Sequence, residues 1–408
     1  MLESQYRSLM PTLPPILFFT PDPPNAIWQD KPQIARRLAR LAPLLLVPEE
    51  PTLHGQTPGH DQLRAALSRQ PDGLWWLRWS PLMPLTPAPL LGSFSATLRL
   101  RRLQRALQRV INDFATKAPT TARASQRDPI LWFFRPGQQH WIEPLRPRLV
   151  IYHVVDEYSA YPGLTPAQVQ RQRELDAQLT KRADLVFCTA QSLVEARRPL
   201  NQHTYYLPNA VDFAAFASPI TSAPASPEAA ASQSPTLAVV GGINAKVDLA
   251  LLAELAARRP HWLIKLAGPV NASADAAALA RLRSLPNVVF AGTAPPHEVP
   301  ALLSRCDVGL IPYRLTEQTR HVNPLKVYEY LAAGRAVVAT PLPELHQFQP
   351  LVRLAADADS FVAAVEAALA EAHAPQAIAA RRAVAATNTW DHRVARMTEL
   401  IEQRLAVA

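Results

Sequence analysis

The 408-residue chain has almost no cysteine: Cys188 and Cys306 are its only two. That excludes a Cys-ligated zinc site, and the apolar stretches around both point to reduced core residues of a cytosolic protein. It has no run of about 18 apolar residues, which excludes a membrane-spanning helix. The opening MLESQYRSLMPTLPPILFF lacks the basic-then-apolar order of a secretory signal, so a cytoplasmic location is expected. Glycine is scarce at 12 residues. The only glycine pair before a helix-like run, GGINAK, does not have the G-x-G-x-x-G spacing, and no G-x-x-x-x-G-K-[ST] occurs. Both absences count against a dehydrogenase and a P-loop NTPase. What remains is 48% hydrophobic and 18% charged residues, a soluble globular composition. At roughly 150 residues per domain, the length allows two or three domains.

Acidic residues are the other shortage. There are 42 Lys and Arg against 33 Asp and Glu, a net charge of +9. The excess is uneven: residues 1–212 hold 25 basic and 17 acidic side chains, leaving 17 and 16 for the rest. A basic half attracts an anionic partner, whether phosphorylated substrate, acidic membrane surface or nucleic acid; an ordinary Arg-rich surface is the alternative. No nucleic-acid recognition module is evident, so nucleic acid is not expected.

Short apolar runs alternate with helix-like segments through the second half. Strands are expected at Thr236–Val240, Trp262–Ala267, Asn287–Ala291, Asp307–Pro312, Ala336–Thr340 and Leu351–Leu354. Helices are expected at Val247–Arg258, Asp275–Leu285, His297–Arg305, Pro324–Ala333 and Ser360–Glu371. Continuous apolar strands alternating with helices predict a parallel sheet covered on both faces. The first half has the same grammar, with strands at Ile16–Phe19, Leu44–Val47, Leu74–Trp79, Ile130–Phe134, Leu149–Val154, Leu185–Cys188 and Thr204–Leu207, and a helix Thr165–Arg182. Residues 213–235, rich in Ala, Ser and Pro, form the expected linker. The fold class is therefore α/β, with two Rossmann-like doubly wound domains facing across a cleft: 1–212, and 236–390 followed by a terminal helix at 391–405. Ligands in such folds bind beyond the carboxyl ends of the strands.

Two places at those ends carry chemistry. Asn323 reads as an N-cap and Pro324 as the first helical residue, so the unpaired N–H groups at Asn323–Pro324–Leu325–Lys326 make a phosphate site. Lys326 supplies a cation there. Glu329, three residues on, suits a ribose diol, because a carboxylate accepts from two hydroxyls; a surface Lys326–Glu329 pair is the alternative. Gly241–Gly242, directly after a strand, lets backbone approach a ligand closely, with Lys246 beside it; a plain tight turn is the alternative.

The stretches GGINAKVDLALLAELAARRPHWLIKLAGP, LPNVVFAGTAPPHEVPALLSRCDVGLIPY and NPLKVYEYLAAGRAVVATPLPEL resemble the donor domain of GT-B-fold glycosyltransferases near family 4. They are closer still to bacterial cell-surface polysaccharide and teichuronic-type enzymes. VIYHVVDEYSAYPG, ADLVFCTAQSL and YYLPNAVDFAAF resemble the same enzymes more weakly, and TWDHRVARMTELIEQRL resembles their tail helix, which crosses back to the first domain. The resemblance implies a nucleotide diphosphate sugar as donor, with Glu329 on the ribose and the Asn323–Lys326 helix start on the diphosphate. It implies transfer of a hexose to a lipid-linked or polysaccharide acceptor in cell-envelope glycan synthesis. Two departures stand out: the Glu-x7-Glu pair is His321 and Glu329 here, and the PNGVD loop has Ala210 in place of Gly.

Sugar transfer needs a stabilised leaving diphosphate and a deprotonated acceptor hydroxyl. Asp156, following the strand Leu149–Val154, is the expected base, with Glu157 and then His153 as substitutes; in a retaining enzyme Asp156 would orient substrate instead. A turn cap is the plain alternative for Asp156. Residues 98–128 hold eight basic and two acidic side chains. The segment Ser93–Lys117 reads as an Arg-faced amphipathic helix, suited either to anionic lipid at the inner membrane face or to core packing. Asp357-Ala-Asp359 reads as a helix cap rather than a metal site, and no metal or other cofactor is expected. An epimerase on the same fold and a non-catalytic membrane scaffold are the rival functions.

Overall fold

A computed structural model describes residues 13–20, 30–48, 63–69, 74–81, 128–217 and 234–407. Among the described residues, fourteen strands form two separate sheets. The first comprises β1 (Ile16–Thr20), β2 (Leu44–Pro48), β3 (Leu63–Arg69), β4 (Trp75–Pro81), β5 (Ile130–Phe133), β6 (Leu149–Val154), β7 (Leu185–Cys188) and β8 (Thr204–Tyr206). Their order is β3-β4-β2-β1-β5-β6-β7-β8. All pairs are parallel except β3 with β4, which is antiparallel at the edge. The second sheet, β9 (Thr236–Val240), β10 (Leu263–Ala267), β11 (Val288–Gly292), β12 (Val308–Ile311), β13 (Ala336–Ala339) and β14 (Val352–Leu354), is wholly parallel in the order β11-β10-β9-β12-β13-β14. These are the two doubly wound α/β sheets that the strand–helix alternation predicts.

Burial on both faces explains the strand sequences. In β1, Ile16 and Phe18 enter one core while Leu17 and Phe19 enter another on the opposite face. Alternate residues of a strand point to opposite faces, so a strand covered on both sides must be apolar throughout. Both cysteines are buried and unpaired.

The helices used below are α1 (Asp30–Leu38), α2 (Pro166–Arg182), α3 (Gln191–Arg197), α4 (Leu249–Arg258), α5 (Ala276–Arg283), α6 (Leu325–Ala332), α7 (Ala358–Ala370), α8 (Pro375–Thr387) and α9 (Trp390–Val407). Thr165 and Gln168 close a capping box on α2, and Asp248 and Asp275 cap α4 and α5. Asp357 caps α7 by accepting from the Ser360 N–H, as its helix-start position predicts, and Asp359 pairs with Arg258. The chain crosses between the sheets twice at one place. Val211 pairs with Thr389, and its carbonyl accepts from Trp390 N–H at 3.2 Å. From there α9 lays Trp390, Val394, Met397, Leu400 and Ile401 into the first core.

Three expectations need correcting. Phe213–Ala217, assigned to the linker, is a short helix with Phe216 buried; residues 218–233 lie outside the described residues. His297–Arg305 is a 3-10 turn (Pro296–Glu298) followed by a short helix, Val299–Ser304. The helix expected from Pro324 begins at Leu325, with Pro324 in the cap position in extended conformation. The Ser93–Lys117 segment lies outside the described residues. No helix among those described is long and apolar enough to cross a membrane.

Candidate active site

The carboxyl end of the second sheet is built from close backbone turns. Gly241 follows β9 at φ +126°, which favours glycine, and its N–H donates to the Ala267 carbonyl at 2.8 Å. Gly268 follows β10, and a Cβ there would lie 1.9 Å from the Gly241 carbonyl oxygen. A side chain at Gly268 would therefore force these turns apart.

Beside the turns opens a cleft of about 110 Å3, lined by Gly241, Gly242, Asn244, Lys246, Tyr313 and Lys326 among others. A Cβ on Gly241 would come within 3.1 Å of the Lys326 Cε, so the glycine makes room for that side chain. Lys326 donates to the Glu329 carboxylate at 2.8 Å, and Glu329 is 4% exposed. The pair is thus not a solvated surface pair: Lys326 lines the cleft, and Glu329 lines a separate small hollow with Gln33, Leu325 and Trp390. Lys246 reaches across to Asp156, Nζ to Oδ1 at 3.8 Å. Asp156 follows β6 of the first sheet, so the carboxyl ends of the two sheets face each other. The other Asp156 oxygen accepts from the Tyr161 hydroxyl at 2.7 Å. Tyr313 lines the same cleft. Burial, with the Asp156 and Glu329 charges, pushes its hydroxyl up to about 12, so it stays a neutral donor.

The cleft therefore gathers Gly241, Gly242, Lys246 and Lys326, with Glu329 paired to Lys326 and Asp156 to Lys246. Other candidates are engaged elsewhere. Asn323 is not the N-cap: its Oδ1 accepts from Asn209 N–H at 3.2 Å, and its amide donates to Glu344 at 3.0 Å. An N-cap must turn its side chain back onto its own helix; Asn323 turns outward and joins the two halves. Leu325 packs against the first core. His321 lies 2.9 Å from Ser192 Oγ through Nδ1 and 3.3 Å from Glu317 through Nε2, so its ring bridges to the first half. Glu157 is not an available base: one oxygen accepts from Ser159, the other from Arg197 at 3.0 Å. Burial opposes its ionisation, but Arg197 and Ser159 outweigh it and hold the carboxyl below its usual range. His153 is 1% exposed, stacked on Phe134 at 5.0 Å. Burial, aided by Lys31, drops it to about 3, so it is a neutral member of an aromatic core and no base. Ala210 fits without strain, because Arg146 is the only non-glycine residue with positive φ among those described.

Sequence reasoning missed Tyr313, Asn244 and Glu344. Tyr313 carries a signal, sitting two residues past the end of β12 where ligands bind. Asn244 holds the Lys246 turn, its Oδ1 accepting from Lys246 N–H at 3.0 Å. Glu344 has no local signal. It is buried and accepts from Gln191 N–H at 2.7 Å, Tyr206 hydroxyl at 2.6 Å and Asn323.

Residues 249–399 match a family described as glycosyl transferase-like. The chain is 30% identical over 290 residues to a protein of Bacillus subtilis (strain 168) named for teichuronic acid biosynthesis, the glycosyltransferase TuaH; the match spans 67% of this chain and 71% of TuaH. Among solved structures, the fold matches sucrose-phosphate synthase from Thermosynechococcus elongatus, with a TM-score of 0.70 and 16% identity over 97% of this chain and 100% of the other. It also matches Anabaena Alr3699/HepE in complex with UDP and glucose, with a TM-score of 0.61 and 13% identity over 96% of this chain and 100% of that one. With its two facing Rossmann-like sheets and this relative, the chain belongs to the GT-B-fold glycosyltransferases and resembles their teichuronic-type enzymes.

Proposed function

We propose that the protein transfers a hexose from a nucleotide diphosphate sugar, with UDP as the first nucleotide to test, to a lipid-linked or polysaccharide acceptor of the cell envelope. The observation that carries this reading is Lys246 and Lys326 in one cleft, with Glu329 on the donor side and Asp156 opposite. Both lysines are paired with carboxylates, and a diphosphate with its greater charge would take them over. The free N–H groups at the start of α6 would add to its hold. Glu329, released from Lys326, would accept from the ribose hydroxyls. Asp156 would take the acceptor proton as the acceptor oxygen bonds to the anomeric carbon and the bond to the diphosphate breaks. The leaving diphosphate keeps that electron pair, and the lysines neutralise the charge it gains. The UDP complex of the Anabaena fold neighbour and the name of the Bacillus relative support the choice of nucleotide and pathway. The residues proposed for the donor need no metal. An inner-membrane location follows only if the acceptor is lipid-linked.

The test is thermal shift against UDP, GDP, ADP and their sugars, with and without EDTA. A ligand that binds only the folded state at 100 times its Kd adds about 2.7 kcal/mol of stability. The expected result is a shift by one nucleotide, unchanged by EDTA and lost in Glu329→Ala. No shift by any nucleotide would overturn the donor site.

A further inference from the structure

Beside the cleft lies a buried charge that the donor site does not use. Arg197 on α3 has a side chain only 2% exposed. Its guanidinium donates to Asp176 of α2 at 2.9 Å and to Glu157 at 3.0 Å. Tyr152 of β6 completes the group, donating its hydroxyl to Asp176 at 2.6 Å. Replacing such a buried ionic group by apolar side chains is often neutral or stabilising, so stability alone does not account for it.

Its neighbours give it a second role. Glu157 directly follows Asp156. One Glu157 oxygen belongs to Arg197; the other accepts from the Ser159 N–H at 3.3 Å and hydroxyl at 2.7 Å. That fixes the turn Tyr158–Ala160, whose Tyr158 donates to the Phe134 carbonyl at 2.8 Å. Tyr161, next in the chain, donates to Asp156. The series of contacts that starts at Arg197 thus ends on the carboxylate facing Lys246. The other end of α3 is held by the donor half, through Glu344 on Gln191 N–H and His321 on Ser192.

We propose that Arg197 is a positioning residue, which through Glu157 and the Tyr158–Tyr161 turn aims Asp156 at the donor lysine, and that α3 ties this aim to the donor half. This rests on the cleft being the transfer site.

The test compares Arg197→Lys with a triple variant, Arg197→Met with Glu157→Gln and Asp176→Asn, which removes all three charges and leaves none unpaired. UDP affinity is measured by calorimetry, turnover as UDP release from UDP-glucose, and backbone order by amide hydrogen exchange. The expected triple variant binds UDP within twofold of the unaltered protein. Its kcat falls at least tenfold at unchanged donor KM, and residues 156–161 exchange at least tenfold faster while Leu149–Val154 do not. Arg197→Lys recovers part of kcat and part of the protection. A triple variant with kcat within twofold and unchanged exchange at 156–161 overturns the proposal. If the triple variant does not fold, Arg197→Lys decides by the same two readouts. Absence of UDP binding in the unaltered protein is a failure of the donor site instead, and exchange at 156–161 alone then decides whether Arg197 holds the loop.

Discussion

Glu329 is the side chain on which the proposed donor site depends, and its pairing with Lys326 was legible because residues three apart on a helix meet. Glu329→Gln keeps the size and removes the charge. Hydrogen bonds to charged groups are worth about 1.5–3 kcal/mol, so UDP should bind roughly 10- to 100-fold more weakly by calorimetry. Equal affinity would remove Glu329 from the site. His153 was legible only as a titratable residue near a strand end; its aromatic surroundings come from β5 and β7, far away in sequence. Those surroundings give it a pH signature. Unfolded, the imidazole titrates near 6.5; folded, burial and then Lys31 hold it to about 3. Between these values only the unfolded chain binds the proton. Stability from this residue is therefore complete above pH 6.5 and drains away as pH falls towards 3, by up to roughly 5 kcal/mol. His153→Phe should flatten the loss of urea midpoint between pH 7 and pH 4. An equal loss in both proteins would mean that another group carries the acid sensitivity.

Elements were more legible than residues in the second half, and the reason is burial. β9, β12 and β13 lie in the sheet interior, so their sequences are short unbroken apolar runs between turn residues. β3 was missed because LRAALSR at an antiparallel edge has no such run. The α6 start was placed one residue early, because a good cap residue is recognised locally while Asn323 is engaged by Asn209 and Glu344 from distant segments. The same blindness hid the grip on α3, whose first N–H is satisfied by Glu344 instead of by a cap of its own. An amide at 344 has one acceptor oxygen for three donors. Glu344→Gln should therefore cost about 2 kcal/mol, read from denaturant unfolding. Thr165→Ala, which removes a local cap, should cost about 1 kcal/mol. If the two losses came out in reverse order, the contact between the halves would matter less than its geometry indicates.

At the scale of the whole molecule, two sheets each carry their own cores, and among the described residues the chain crosses between them where Val211 meets Thr389 and Trp390. The terminal helix is the consequence with most weight. Residues 390–401 follow the second sheet in sequence but fill the first core in space, and Arg37 of α1 clamps their start by donating to both Asp391 oxygens at 2.9 and 3.2 Å. The helix was legible at 391–405; its destination came only from the resemblance, because the apolar stripe of Trp390, Val394, Met397 and Ile401 does not name the surface that it covers. Met397 sits at the centre of that stripe, 1% exposed. Truncating a buried methionine to alanine costs 2–5 kcal/mol in typical cores, or about 3 here. All of that cost falls on the first sheet, while Gly241, Lys246, Lys326 and Glu329 stand on the second. Met397→Ala should therefore lower the unfolding midpoint and leave UDP affinity at 25 °C within twofold. A loss of UDP affinity in proportion to the loss of stability would instead mean that the two halves fold and bind as one cooperative unit, with the crossing at Val211 too stiff for either to respond alone.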